Sequence, residues 1–290
     1  MAGWEDGYWL SKDGLRLHYR DYPCARQPVG GPIICLPGLT CNARDFHPLA
    51  SRLAGQRRII AIELRGRGES ARAEDPLSYV PQTYVEDVEA LLGELALERF
   101  ILFGTSLGGL LSMILAARAK GRVAGVLLND IGPAIEPAGL ARIRAYVGRS
   151  SSHPTWLHAA RALADLHRAH YPDYEIRDWL DMAKRLCRLT AAGRIVNDYD
   201  LAIAEPFRVP GAETAPDLWP LLEAMRAIPS LLIRGALSDI LSADTAERMQ
   251  AMLPQMERVD LPRIGHAPTL AEPECEAAID RLLTRIEKAG

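Results

Sequence analysis

This sequence of 290 residues predicts a mostly parallel α/β sheet covered by helices on both faces, with a helical block inserted late in the strand order. Three observations carry that reading. Short apolar runs alternate with amphipathic stretches as far as Asp130, the pattern of a parallel sheet with crossover helices. Between Gly132 and Pro220 helical periodicity continues without a convincing strand, and the alternation resumes at Leu231. The third observation is the junction R-F-I-L-F-G-T-S-L-G-G-L, Arg99 to Leu110, in which a buried-strand run enters G-T-S-L-G and then a helix.

Taken in order, Tyr8–Leu10 and Leu15–Tyr19 form a hairpin around S-K-D-G, an Asp-Gly turn between alternating apolar residues. Ile33–Leu36 is a short buried strand ending at Pro37-Gly38-Leu39-Thr40, and Asn42 is placed to cap a helix from Ala43. Ile59–Leu64 is the next strand, running into Arg65-Gly66-Arg67-Gly68-Glu69-Ser70. Pro81–Leu97 is amphipathic, with proline in its first turn. The junction strand Phe100–Phe103, its helix Leu110–Ala119, and the strand Val123–Leu128 follow, the last ending at Asn129-Asp130. In the insertion, Ala138–Val147, Thr155–His170, Glu175–Leu189 and Leu218–Ala227 have helical character. Leu231–Ile233, a helix Ala243–Met252 capped by Ser242, Val259–Leu261 and the amphipathic Pro273–Lys288 complete the pattern. The division expected is a core of 1–131 and 221–290 with an insertion of 132–220.

Composition narrows the function. With 48% hydrophobic and 24% charged residues the chain can bury a sizeable core, and a net charge of −3 supplies no basic field for nucleic acid. Cys24, Cys35, Cys41, Cys187 and Cys275 are odd in number and irregularly spaced, which argues for free thiols in a reducing compartment. The N-terminal M-A-G-W-E-D-G-Y-W-L has acid where a secretion signal needs base, and no apolar run reaches membrane-spanning length. The expectation is a cytoplasmic protein without membrane or nucleic-acid partner, acting on a small molecule.

The chemistry centres on Ser106. A strand-to-helix turn this tight strains its central residue, demands small neighbours, and exposes the serine hydroxyl beside the N-terminus of a helix. A serine hydroxyl needs a base oriented by a third group. His266, in R-I-G-H-A-P-T-L after the last strand, is the base expected; Asp239, in R-G-A-L-S-D-I-L, is the preferred acid, with Asp130 its rival after the strand beyond the elbow. The order Ser…Asp…His separates this arrangement from the other triad orders. An oxyanion needs two converging N–H donors, and Leu107 and Leu39 are placed to supply them.

Taken together, L-P-G-L-T, L-R-G-R-G-E-S, G-T-S-L-G-G, G-A-L-S-D and G-H-A-P-T-L-A-E-P make nearly the whole chain resemble α/β-hydrolase-fold proteins of the esterase, lactonase and C–C hydrolase group with a helical cap. The resemblance implies an eight-stranded sheet with the second strand antiparallel, with Ser106 as nucleophile, Asp239 as acid and His266 as base. Pro37-Gly38 stands where many members have His-Gly, and Glu63 where many have Asp, a difference read as structural.

Other constellations are weaker. Gly66-Arg67-Gly68 lacks the spacings of phosphate loops, and His153, His158, His167 and His170 have no cysteines near them to complete a zinc site. Trp156, Trp179 and Trp219 are candidates for pocket or core. The function expected is hydrolysis of a small carboxylic ester or lactone through an acyl-enzyme, with no cofactor and no metal. The alternatives are C–C bond hydrolysis of a ring-cleavage product, weakened by Ala267-Pro268 after the histidine, and a non-catalytic ligand receptor on the same fold.

Overall fold

The structure, a computed structural model, describes residues 3–25, 28–209 and 217–289. Met1 and Ala2, and 210–216 within the expected insertion, lie outside the described residues. The chain opens with a hairpin in which β1 (Glu5–Leu10) and β2 (Arg16–Tyr22) pair antiparallel around Asp13-Gly14, and Gly14 takes the φ of +81° that the turn requires. Then come β3 (Ile33–Leu36), α1 (His47–Arg52), β4 (Ile59–Glu63), α2 (Pro81–Glu94), β5 (Phe100–Thr105), α3 (Leu107–Arg118) and β6 (Val123–Asn129). The chain next leaves the sheet for α4 (Pro137–Tyr146), β7 (Ser152–His153), α5 (Trp156–His167), α6 (Ile176–Leu186), β8 (Cys187–Leu189), β9 (Ile195–Asn197) and a 3₁₀ stretch, Leu201–Arg208. It returns through α7 (Trp219–Glu223) to β10 (Ser230–Gly235), α8 (Ala243–Met252), β11 (Glu257–Leu261) and α9 (Pro273–Ala289).

Eight of these strands form one sheet in the order β1-β2-β4-β3-β5-β6-β10-β11. β2 runs antiparallel to both its neighbours and the remaining pairs are parallel, the arrangement expected. Side-chain alternation splits the core between the two faces. Ile34, Leu36, Ile60, Ile62, Leu102 and Leu128 pack against α2, α3, α7 and α8. Ile33, Cys35, Ile59, Ala61, Phe103 and Ile233 pack against α1 and α9. Burial on both faces explains why the central strands read as unbroken apolar runs.

Local signals mostly act as expected. Asn42 accepts from the Arg44 N–H at 3.0 Å and Ser242 from the Thr245 N–H at 3.3 Å, each capping the helical turn that follows it. Glu63 is buried at the end of β4, paired with His18 Nδ1 at 2.9 Å and accepting from the Glu69 N–H at 2.6 Å. Its extra methylene spans from the hairpin to the loop after β4.

The region read as purely helical differs. Glu175–Leu189 was expected as one helix, yet α6 ends at Leu186 and the chain turns into β8 and β9, which with β7 form a three-stranded antiparallel sheet. The turn between β8 and β9 closes where the Gly193 N–H donates to the Thr190 carbonyl at 2.9 Å, with Gly193 at φ +71°. Strands of two or three residues are too short for a period of two to register, and T-A-A-G was the available turn signal. Ala160, Trp179, Met182, Ala183, Cys187 and Ile195 form a third hydrophobic cluster here, apart from the two that flank the main sheet. Among the described residues no helix is long and apolar enough to cross a membrane.

Candidate active site

Ser106 joins β5 to α3 with φ +52° and ψ −116°, a backbone conformation costly for any residue with a side chain. The flanking glycines show how close the elements run. A Cβ on Gly104 would lie 2.3 Å from the Gly108 carbonyl oxygen, and one on Gly108 would lie 1.9 Å from the Leu36 carbonyl oxygen. Any larger residue would separate β5 from α3 or α3 from β3, so the sequence pattern is a packing requirement. The helix begins at Leu107, three residues before the periodicity could detect it, because glycines hide the first turn.

Ser106 Oγ and His266 Nε2 are 2.8 Å apart, and His266 Nδ1 lies 2.7 Å from Asp130 Oδ2. Asp130 is fully buried at φ +55°, immediately past β6. Its Oδ1 accepts from the Gly235 N–H at 2.9 Å and its Oδ2 from the Ser238 hydroxyl at 2.6 Å. Asn129 donates to Thr105 Oγ1 at 3.0 Å and to the Pro268 carbonyl at 2.9 Å, tying the end of β6 to the elbow strand and to the histidine loop. Tyr171, from the segment between β6 and β10, donates to the Ala267 carbonyl at 3.1 Å.

The acid expected at Asp239 is therefore corrected: the carboxylate against His266 is that of Asp130. Asp239 turns the other way and receives Arg142 of α4 through two hydrogen bonds, Nε at 2.6 Å and Nη2 at 2.8 Å, with His170 Nε2 3.9 Å away. Partial burial would raise the Asp239 carboxyl, but the Arg142 fork outweighs it and the group is held below the usual carboxylate range. The G-A-L-S-D segment still serves the network, through Ser238 and not Asp239. The neighbouring register gave the missing signal: Asn129 pairs with Thr105, so the residue after Asn129 sits beside Ser106.

A cavity of about 340 Å³ opens over Ser106 and His266. Gly38, Leu39, Cys41, Ile143, Tyr146, Leu163, Tyr171, Met182 and Leu186 give it a mainly apolar wall, while Arg149, the Arg185–Asp45 pair at 3.4 Å, and the imidazoles of His153 and His167 supply its polar groups. Leu39, in the loop after β3, lines the cavity with Ser106, Leu107 opens α3 directly after the serine, and a Cβ on Gly38 would come 3.8 Å from Ser106 Cβ. None of Trp156, Trp179 and Trp219 lines the cavity: Trp179 is buried with Tyr171 and Tyr174, and Trp219 lies under Arg248. Cys41 and Cys187 do line it, but burial pushes the Cys41 thiol well up and the Cys187 thiol to about 11. Neither thiol supplies a thiolate at neutral pH, whereas the Ser106 hydroxyl lies 2.8 Å from His266 Nε2.

His167 closes α5 against this wall, and burial, with Arg142 and His170 nearby, lowers it from 6.5 to about 4. Between those values the unfolded chain binds a proton that the folded chain refuses, so stability falls as pH drops from 6.5 to about 4. Thermal unfolding across that interval should show a shallower fall for His167→Gln than for the parent; equal slopes would contradict a neutral His167.

Comparison with known proteins places this geometry. Residues 33–278 match the model of the alpha/beta hydrolase family. The chain is 34% identical over 272 residues to a 3-hydroxybutyrate-oligomer hydrolase of Cupriavidus necator, covering 91% of this chain and 92% of the relative. It is 28% identical over 253 residues to a 2-(acetamidomethylene)succinate hydrolase of Mesorhizobium japonicum, with 86% of each chain covered. Among solved structures, an alpha/beta hydrolase from Novosphingobium aromaticivorans superposes with a TM-score of 0.93 at 55% identity, over 98% of this chain and 99% of that one. Sheet order, elbow and family match agree, and the chain belongs to the alpha/beta hydrolase family.

Proposed function

We propose that the chain is a serine hydrolase of small carboxylic esters, acting through Ser106, His266 and Asp130. The observation that carries this reading is the unbroken line from Ser106 Oγ to His266 Nε2 to Asp130 Oδ2, 2.8 and 2.7 Å, on the wall of a mainly apolar cavity. His266 takes the Ser106 proton as the oxygen attacks the carbonyl carbon. Asp130 holds the proton of Nδ1, so that Nε2 is the free base, and stabilises the imidazolium that forms. Leu39 and Leu107 N–H groups receive the tetrahedral oxyanion. His266 then protonates the leaving alkoxide, and water, deprotonated by the same nitrogen, releases the acid. In this reading residues 132–220 act as a cap that excludes water and shapes the cavity.

The substrate class we favour is an ester that also carries a free carboxylate, such as a short oligoester of a hydroxy acid. Arg149 borders the cavity with no carboxylate partner among the described residues, whereas Arg185 on the same wall is already paired with Asp45 at 3.4 Å. The 3-hydroxybutyrate-oligomer hydrolase relative agrees with that choice. Turnover of paired esters, with and without a terminal carboxylate, tests it. Arg149→Ala should raise KM for the carboxylate ester by about tenfold and leave the neutral ester within about twofold. Equal effects on both would remove Arg149 from recognition. Faster turnover of vinylogous 1,5-diketo acids than of any ester would move the chain to the C–C hydrolases.

A further inference from the structure

Two arginines in the loop after β4 are both buried but are treated differently. Arg65 is neutralised, its guanidinium bonded to Asp87 at 2.7 and 2.8 Å and to Asp13 at 2.9 Å. Arg67 is fully buried and forms no ion pair with a carboxylate among the described residues. Its Nε donates to the Leu39 carbonyl at 2.9 Å and its Nη1 to the Arg65 carbonyl at 2.6 Å. The guanidinium carbon lies 4.9 Å from the Tyr84 ring centroid and 5.6 Å from that of Tyr79, within cation–π range. The Arg67 backbone also bridges to Tyr199, and the Gly68 N–H donates to the Asp198 carbonyl at 3.1 Å, so the loop is anchored without the side chain.

A buried cation without a counter-ion is costly, and an apolar side chain of similar length would fill the same space more cheaply. The partner of that cation is the carbonyl of Leu39, the residue whose N–H is proposed above as an oxyanion donor. Holding the Leu39 carbonyl fixes the backbone torsion between it and the Leu39 N–H. The same positive charge also offsets that carbonyl dipole next to the place where an oxyanion would form. We propose that Arg67 is a positioning residue of the oxyanion hole: it sets the Leu39 loop against Ser106 and directs an uncompensated positive charge toward the tetrahedral oxyanion. This rests on the serine-hydrolase reading above.

The test compares ground-state and transition-state binding. Arg67→Met should lower kcat for 4-nitrophenyl acetate by about 30- to 100-fold, leave KM within about threefold, and weaken phenylboronic acid by the same factor as kcat. Boronic acid reports the hole because Ser106 Oγ bonds to boron and the adduct becomes a tetrahedral anion. 4-Nitrophenol, which forms no such adduct, should inhibit as before. Arg67→Lys, which keeps the charge but not the Nε donor, should fall between the two. Unchanged boronate affinity in a folded Arg67→Met variant overturns the proposal. If that variant does not fold, nitrogen-15 spectra of the parent decide. The Arg67 Nε–H resonance should shift when boronate binds, and that of Arg57, buried on the Val29 and Gly31 carbonyls, should not. Equal shifts, or none, overturn it. Ser106→Ala separates the two levels. Turnover and boronate affinity retained in that variant would sink the hydrolase reading and this inference with it. Their loss there, beside a normal Arg67→Met, removes Arg67 alone.

Discussion

Asp130→Asn is expected to lower kcat by about 10⁴-fold, and Asp239→Asn by less than about tenfold. The network dictates why an amide is so damaging at position 130. The Gly235 N–H can only donate, so the Asn side-chain oxygen must stay where Asp130 Oδ1 is, 2.9 Å from it. That leaves the NH₂ group facing His266 Nδ1, in the place of Oδ2, 2.7 Å away. Nδ1 must then accept, the ring proton moves to Nε2, and the nitrogen beside Ser106 can no longer take a proton. Ser238 Oγ already accepts from the Ile240 and Leu241 N–H groups at 3.2 and 3.1 Å, so its hydroxyl loses the acceptor it had in Oδ2 and cannot take up the new amide donor. Nothing comparable follows at Asp239, which loses only half of its fork with Arg142. Steady-state kinetics on a 4-nitrophenyl ester, with nitrogen-15 shifts of His266 to read the tautomer, checks both variants. The opposite ranking would return the acid to the loop after β10.

Ser106→Ala should be more severe still, costing about 10⁴- to 10⁶-fold in kcat and abolishing labelling by a fluorophosphonate. Cys41 cannot take over, because its buried thiol is held protonated far above neutral pH. The companion variant Ser106→Gly separates chemistry from strain. Glycine reaches φ +52° without a Cβ penalty, so this inactive variant should unfold at the same or a higher temperature than the parent. Labelling at another serine, or a Ser106→Gly protein less stable than the parent, would argue against the strained-elbow account.

The main sheet was legible because its signals are redundant. Each central strand is apolar on both faces, and α8 was bounded by Ser242 and Met252 as read. The small antiparallel sheet was not legible, since Ser152–His153 and Cys187–Leu189 each offer too few residues to show alternation, and R-L-C-R-L continues the composition of α6. The elbow serine and the loop histidine could be placed because a turn geometry and a strand end each constrain one residue. The acid could not be settled that way. Two aspartates follow adjacent strands, β6 and β10, and the choice between them depends on Arg142, a residue nearly a hundred positions from Asp239 that no local pattern connects to it. Arg67 is the converse case. Its loop read as an unconvincing phosphate cradle, and only the fold brings it to Leu39.

The placement of the acid bears on how such a protein can change. Ser106, His266 and Asp130 all hang from the ends of the main sheet, while much of the cavity wall comes from the stretch between α4 and β9. On the function proposed above, catalyst and specificity would be written on separable lengths of the gene. A segment exchanged between relatives across this stretch would bring a new cavity without rebuilding the proton path. Such a graft would have to restore several seams. Tyr171 must reach the Ala267 carbonyl, Arg142 must occupy Asp239, the second carboxylate on the rim, Arg44 must meet the Arg185 carbonyl, and Arg263 must meet Asp173.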